Sequence, residues 1–196
     1  MRKQGAKEVF AAELEAMLEE MPLSKVRVAE LCRRVEASTP TFYYHFRDKY
    51  ELASWMFLRD VAATFADGEP AFDEQKLAAS LRVVESRRTF YSRVFSDDSQ
   101  NSVARYSHRF NVKSAVEAVK RAEGVDAVDP YRLAVIKHQS HGMIGLLREW
   151  VVGDLDLTCE QLARLQYERT PDFLARAYGA YPFSSEELFR RDEYEA

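Results

Sequence analysis

The sequence has few of the residues that interrupt helices. Among its 196 residues are only 7 glycines and 6 prolines. Because glycine and proline mark turns, their scarcity favours long helices over a fold of many short strands. Alternating apolar and polar residues, the pattern of a half-buried strand, are also missing in runs of useful length. We therefore expect an all-α protein.

Cysteine and long apolar segments are equally scarce. The two cysteines, Cys32 and Cys159, are too few for a disulfide framework, and neither has a neighbouring cysteine with which to bind a metal. No segment approaches the roughly 18 apolar residues of a membrane-spanning helix, and no apolar segment follows the basic start as a signal peptide would require. These absences predict a cytoplasmic protein without membrane, metal or cofactor.

An excess of positive charge is also missing, since the whole chain has a formal net charge of −4. The charge is unevenly distributed, however. Residues 1–50 contain 9 Lys/Arg and 8 Asp/Glu, whereas residues 51–196 contain 19 and 24. The N-terminal region is thus the less acidic one without being a basic tail. Any binding of nucleic acid there must depend on a few well-placed cations.

Apolar residues recur at helical spacing through most of the chain. A first helix is expected over about 3–20, ending before Pro22. Short helices should follow at about 28–35 and after Ser38, with Pro40 in the first turn of the latter. Further helices are predicted at about 48–66, 73–85, 87–96, 100–123, 130–153 and 159–179. A break is expected at 67–70, Pro171 interrupts or starts a helix, and the run at 184–187 is a candidate cap for a final short helix.

The most informative segment is 28–52, VAELCRRVEASTPTFYYHFRDKYEL. Two short helices about three residues apart cannot each bury a core, so they need the first helix to complete a three-helix unit. Such a unit places one helix in the major groove of DNA while its partner crosses the backbone. The third helix has Phe42 and Phe46 on one face and hydroxyls and rings on the other. We predict a helix-turn-helix domain at 1–50 and a helical dimerisation and effector domain at 51–196.

This segment resembles the tetracycline-repressor (TetR) family of transcription regulators. The matching residues are Val28, Leu31, Cys32, Ser38, Tyr43, His45, Phe46, Lys49 and Leu52. The string at 41–50 is most similar to the branch that contains regulators of dihydroxyacetone-kinase operons, and Trp150 with the helix after it is similar to the C-terminal pattern of that branch. The resemblance implies a homodimer that binds a palindromic site on double-stranded DNA, acts as a repressor, and is controlled by a small-molecule or protein effector.

The resemblance also implies which residues contact DNA. Thr39, Pro40 and Thr41 correspond to positions at base edges or a thymine methyl group. Tyr43, Tyr44 and His45 correspond to positions at phosphates or bases, and one of the two tyrosines is expected to be buried. Lys49 corresponds to a phosphate contact at the start of the fourth helix, where backbone amides would assist. The complete predicted set is Arg27, Ser38, Thr39, Pro40, Thr41, Tyr43, Tyr44, His45 and Lys49.

The turn between the second and third helices departs from the family pattern. Glu36 stands where the family usually has glycine, and Ala37 where it usually has a larger apolar residue. A glutamate held at positive φ costs about 1 kcal/mol, and its charge is unfavourable beside DNA. We therefore predict backbone strain at Glu36. Arg33 and Arg34, just before the turn, are either a solvated face or phosphate contacts.

The C-terminal region contains candidates for an effector pocket and a dimer interface. Phe90, Tyr106, Phe110, His141 and Trp150 either line a cavity or belong to the core. The dimer is expected to form through 130–153 and 159–179. The first of these helices has two apolar faces: Leu133, Ile136, Met143 and Leu147 for its own chain, and Ala134, Gly142, Gly145 and Val152 for a partner. A metal site at His108, His138 and His141 is not predicted, because no carboxylate or cysteine supports it.

Two other classes of function remain as alternatives. An enzyme is disfavoured, because the sequence contains no Gly-rich phosphate loop, nucleophile elbow or zinc-protease motif. A helical adaptor that has lost DNA binding and works through protein contacts is favoured by Glu36, Ala37 and the low net charge.

Overall fold

The computed structural model describes residues 5–66, 72–96 and 102–181, and within these ranges all regular structure is helical. The helices are α1 Ala6–Glu20, α2 Val28–Arg34, α3 Thr39–His45, α4 Lys49–Ala66, α5 Glu74–Ser86, α6 Arg88–Phe95, α7 Val103–Glu123, α8 Pro130–Val152, α9 Cys159–Glu168 and α10 Asp172–Ala180, with a 3₁₀ turn at Leu23–Lys25. The prediction of an all-α fold is confirmed. None of the described helices is both long and apolar enough to cross a membrane.

The predicted helix at 159–179 is two helices, α9 and α10. Pro171 precedes the first residue of α10 in an extended conformation, with φ −58° and ψ 143°. Because proline has no N–H and disfavours a helical residue before it, the chain turns there instead of continuing α9. The predicted break at 67–70 and the short helix at 184–187 lie outside the described residues.

Side-chain caps explain where several helices begin. Ser38, Asp73, Ser102 and Asp129 each accept a hydrogen bond from a backbone N–H of the turn that follows. Thr158 and Gln161 form a reciprocal capping box at the start of α9. These bonds satisfy donors that the first turn of a helix cannot pair internally.

One apolar core runs from the N-terminal helices into the C-terminal region. It extends from Phe10 and Leu14 of α1, through Trp55 and Met56 of α4, to Trp150 of α8. The helix α4 packs against α1 and also against α5 and α7. A second, smaller apolar cluster joins α7, α8 and α10 through Ala115, Ala118, Val119, Ile136, Leu174 and Ala177.

A polar cluster ties the same regions together. Asp60 of α4 accepts hydrogen bonds from Tyr91 and Arg87, and from its neighbour Arg59. Arg87 also contacts Glu15 of α1, at 2.6 Å. Asp60 thus joins α4 directly to Tyr91 of α6 and, through Arg87, to α1.

Candidate nucleic-acid interface

The helix α3 is oriented by two phenylalanines. Phe42 and Phe46 are 0% and 2% exposed, and the ring of Phe10 from α1 lies edge-on to Phe42 at 5.3 Å between centroids. Because residues four apart share one face of a helix, burying this pair directs the opposite face outward. That exposed face contains Pro40, Thr41, Tyr43 and Tyr44.

Neither tyrosine of α3 is buried, so the prediction that one of them would be buried is wrong. Tyr43 is 45% and Tyr44 is 68% exposed. Relative to Phe42 they lie about 100° and 200° around the helix axis, and therefore away from the face that the two phenylalanines bury. Both phenol rings are available on the surface that the fold presents to a partner.

Ser38 fixes the start of α3. Its hydroxyl oxygen accepts a hydrogen bond from the backbone N–H of Thr41, and it bonds the Thr41 hydroxyl at 2.8 Å. The Thr41 hydroxyl is therefore engaged at the cap. Of the other predicted contact residues, Arg27 is exposed, whereas Thr39, His45 and Lys49 are half-buried.

The structure gives Lys49 an internal role that the sequence analysis missed. Its Nζ donates to the carbonyl oxygens of Ser24 and Val26, both at 2.9 Å, and so joins the start of α4 to the segment before α2. The backbone amides at the start of α4, which were expected to help bind a phosphate, are also engaged within the chain. The N–H groups of Tyr50 and Glu51 donate to Oδ1 of Asp48, so a carboxylate already occupies this helix start. An anion would meet repulsion there.

Glu36 has the predicted strained conformation, with φ at 53°. The N–H of Ala37 donates to the carbonyl of Cys32, and the N–H of Glu36 to that of Arg33. These two bonds form a Schellman motif, which ends a helix through a left-handed residue that is usually glycine. The turn therefore keeps the geometry of a glycine turn although a glutamate occupies the position. Cys32, just before it, is buried as expected.

The two arginines before the turn are paired with acids of their own chain. Arg34 contacts Glu13, Glu20 and Glu30. Glu30 also accepts from Arg33, and hydrogen bonds from Arg33 and then Arg34 lower its pKa to about 2. The acids thus offset most of the positive field of these guanidinium groups.

Two other cations beside α3 were not selected from the sequence. Lys25 lies in the 3₁₀ turn and Arg47 follows the last turn of α3, and both are exposed. Their positions in the sequence, just before α2 and just after α3, could have identified them as candidate phosphate contacts. With Arg27 they place three exposed cations around a helix whose outward face is otherwise neutral.

Comparison with known proteins agrees with this geometry. Residues 6–54 match the family model described as "Bacterial regulatory proteins, tetR family". The match covers about a quarter of the chain, and it shows that the N-terminal helices are similar to those of tetR-family regulators. The likeness to the branch of dihydroxyacetone-kinase operon regulators is confirmed by a curated relative, described next.

That relative is the HTH-type dhaKLM operon transcriptional activator DhaS of Lactococcus lactis subsp. lactis (strain IL1403). It is 24% identical over 91 residues, which is 46% of this chain and 49% of the relative, so the match spans about half of each protein. A TetR transcriptional regulator from Rhodococcus sp. RHA1 has a similar fold, with a TM-score of 0.51 at 14% identity, covering 85% of this chain and 96% of that one. The solved dihydroxyacetone kinase operon activator DhaS gives a TM-score of 0.47 at 18% identity, over 83% and 90% of the two chains.

The C-terminal region contains a partly open cavity of about 120 Å³. Its lining comes from α4, α5, α7, α8, α9 and α10, together with Phe72: Phe57, Leu58, Val61, Phe65, Phe72, Leu77, Ser80, Leu81, Val84, Asn111, Ser114, Ile136, Gln139, Ser140, Met143, Ile144, Leu147, Gln166 and Tyr178. The cavity thus lies among elements that are distant in sequence.

The residues predicted for the effector pocket lie elsewhere. Phe90, Tyr106, Phe110 and Trp150 are buried in the core, and none of them lines the cavity. Their polar atoms explain part of this, since Tyr106 Oη donates to Asp48 at 3.1 Å and Trp150 Nε1 donates to the carbonyl of Leu157 at 2.7 Å. His141 is exposed and stacks on His108, with ring centroids 3.6 Å apart. Of the two alternatives given for these rings, the structure thus supports the core for Phe90, Tyr106, Phe110 and Trp150.

Proposed function

We propose that this protein is a homodimeric transcription regulator that binds a palindromic operator through α3. The observation that supports it is the division of α3 into a buried phenylalanine face and an exposed face of threonine, proline and tyrosines. On this proposal Pro40 and the methyl group of Thr41 contact base edges, while Ser38, Thr39, Tyr43, Tyr44 and His45 contact phosphates or bases. Arg27, Lys25 and Arg47 neutralise phosphates, and Lys49 holds the unit together.

The proposed dimer forms through α8 and the segment that contains α9 and α10. On α8, the residues Ala134, His138, His141, Gly142 and Gly145 are exposed along one stripe. A Cβ added at either glycine would meet nothing within 4 Å in the chain itself, so a partner helix has room for close approach. The opposite face of α8, with Ile136 and Leu147, is buried in its own chain. Within one chain α9 packs against α5 and α10 against α7, so the partner meets the exposed faces of these two helices.

A dimer has a physical advantage for this chain. One recognition helix contacts only a few base pairs, and the residues 1–50 contribute little general attraction to DNA. Two copies held at about 34–36 Å occupy half-sites on successive turns of the duplex, so that their binding energies combine. A symmetric operator follows from this arrangement.

We further propose a functional division at 1–50 and 51–196, with α4 shared structurally between them, and an effector that occupies the cavity of the second region. We propose repression as the regulatory effect, because a dimer on an operator can obstruct transcription without a further protein surface. The relative from Lactococcus lactis is named as an activator, so a reporter fused to the operator must fall in expression, not rise, when the protein is supplied. On this proposal the protein acts in the cytoplasm, where it would meet its operator.

Fluorescence anisotropy with duplex DNA that flanks the protein's own gene tests the interface. Arg27→Ala should weaken binding of all sequences similarly and reduce the salt slope by about 1, because it removes one phosphate contact. Thr41→Ala should change sequence preference more than salt dependence. Arg33→Ala is the matched control, since its guanidinium is paired with Glu30.

Light scattering tests the assembly, which should have twice the 22.7 kDa of one chain. A monomer that still binds a palindromic site as one copy would contradict the dimer. If no duplex is bound and both arginine variants behave as the parent does, the proposed interface is wrong and the adaptor alternative is favoured.

A further inference from the structure

Four polar side chains that line the cavity have no hydrogen-bond partner among the described residues. They are Asn111 and Ser114 of α7, Gln166 of α9 and Tyr178 of α10. Gln166 is only 7% exposed. The polar atoms of these four side chains are not fully buried, so they reach space that a bound molecule can occupy. Three helices thus contribute four unpaired polar groups to one cavity, where a bound molecule can form hydrogen bonds with them.

The remaining polar groups of the lining are held in place. Gln139 donates through Nε2 to the hydroxyl of Thr170 at 2.9 Å, which fixes its amide and leaves the amide oxygen as an acceptor. Ser140 is bonded to Nδ1 of His108 at 2.9 Å. Ser80 donates to the carbonyl of Leu77 within its own helix. The capacity to bind a polar group is thus concentrated on α7, α9, α10 and the adjoining part of α8.

The opposite side of the cavity is apolar. α4 contributes Phe57, Leu58, Val61 and Phe65, and α5 contributes Leu77, Leu81 and Val84. The cavity therefore has two chemically different sides, and a molecule that fills it has an apolar part against α4 and α5 and a hydrogen-bonding part toward α7, α9 and α10. A solely apolar molecule would leave the four polar groups unpaired.

Charge and size restrict the ligand further. No described residue of the lining is an acid or a base, and burial raises the pKa of the Tyr178 phenol, which keeps it neutral. An ion placed there would lose its hydration without gaining a counter-charge. The volume of about 120 Å³ is close to that of cavities of roughly 150 Å³ that admit benzene.

We propose that this cavity binds an uncharged, ring-sized molecule that carries a hydroxyl, carbonyl or amide group at one end. Gln166 and Tyr178 are its specificity-determining residues, supported by Asn111 and Ser114. The role of such a molecule as effector rests on the proposed function, whereas its binding does not.

Isothermal titration of the full-length protein with four probes tests the ligand class. Benzamide and benzoate have nearly the same shape and differ in charge, toluene lacks the polar group, and glycerol lacks the apolar part. We expect benzamide to bind at least about tenfold more tightly than each of the other three, because only benzamide is neutral and matches both sides. Benzoate binding as tightly as benzamide, or no binding of any probe, would overturn the proposal.

Two substitutions assign the polar side. Gln166→Leu and Tyr178→Phe should each weaken benzamide binding several-fold while leaving toluene binding equal or tighter. Because neither side chain has a hydrogen-bond partner among the described residues, its replacement breaks no hydrogen bond, and both variants should melt at or above the temperature of the parent. Tyr167→Phe, on the exposed side of α9, is the control and should change neither. Equal losses for benzamide and toluene, or a lower melting temperature, would contradict the assignment.

The operator assay is run separately on the same preparations. Benzamide binding without DNA binding would refute the proposed regulator while leaving the ligand class intact. DNA binding with no preference for the neutral probe would refute the ligand class alone.

Discussion

Replacing Glu36 by glycine should stabilise the protein. Glu36 has φ at 53° and closes a Schellman motif, so its Cβ is held in the left-handed region that L-residues avoid. Glycine removes that penalty of about 1–2 kcal/mol. Part of the gain in stability is lost, because glycine also raises the conformational entropy of the unfolded chain. We expect a net gain of about 0.5–1 kcal/mol in the free energy of unfolding. For a domain of this size, that raises the melting temperature by about 1–4 °C.

The controls separate backbone strain from charge. Glu36→Ala removes the carboxylate but keeps a Cβ at positive φ, so its stability should lie within a few tenths of a kcal/mol of the parent. Glu36→Asn should fall between alanine and glycine, because asparagine tolerates this region. Urea unfolding followed by circular dichroism gives the three free energies. If Glu36→Gly is no more stable than Glu36→Ala, backbone strain at this turn does not lower the stability of the protein.

Two further substitutions test contacts that connect distant helices. Tyr106→Phe removes the hydrogen bond to Asp48 and should lower the free energy of unfolding by about 1.5–3 kcal/mol. Tyr131→Phe, at an exposed ring, is the control and should leave that free energy unchanged. Equal free energies for the two variants in urea unfolding would contradict a role for this bond. Burial, with the nearby charges of His141 and Lys137, lowers the pKa of His108 below its ordinary value of 6.5, so protonation favours the unfolded chain. The free energy of unfolding should therefore fall as the pH falls through 6.5. His108→Gln should flatten this pH dependence, whereas His138→Gln should preserve it. Parallel plots of stability against pH for the parent and both variants would exclude His108 as the source.

The N-terminal helices could be predicted closely because their signals are local. Pro22, Ser38 and Pro40 mark helix ends through bonds that reach only a few residues. The pair Phe42 and Phe46 likewise defines the buried face of α3 by spacing alone. The strained turn at Glu36 followed from the family pattern.

Contacts between distant segments could not be predicted in the same way. The acceptors of Lys49 are carbonyl oxygens about two dozen residues earlier, and any exposed lysine has the same sequence signature. The aromatic residues expected at a pocket are in the core, since periodicity cannot distinguish a ring that fills space from one that borders it. Gln166, Asn111 and Tyr178 were missed because their position beside a cavity depends on how four helices cross.

The continuous core has a consequence for how this protein can be divided or recombined. Because Trp55 and Met56 of α4 pack into the same apolar cluster as Phe10 and Trp150, cutting the chain at residue 50 would remove from α1 the helix against which it packs. A fragment that ends there would lose the buried side chain of Leu52 and the residues beside it. If the first 50 residues were joined to an effector region from another protein, their apolar surface would pack against a helix whose side chains do not fit it. The part that can be exchanged between relatives is therefore α1 through α4 as a unit, with the far side of α4 matched to its new α5 and α7.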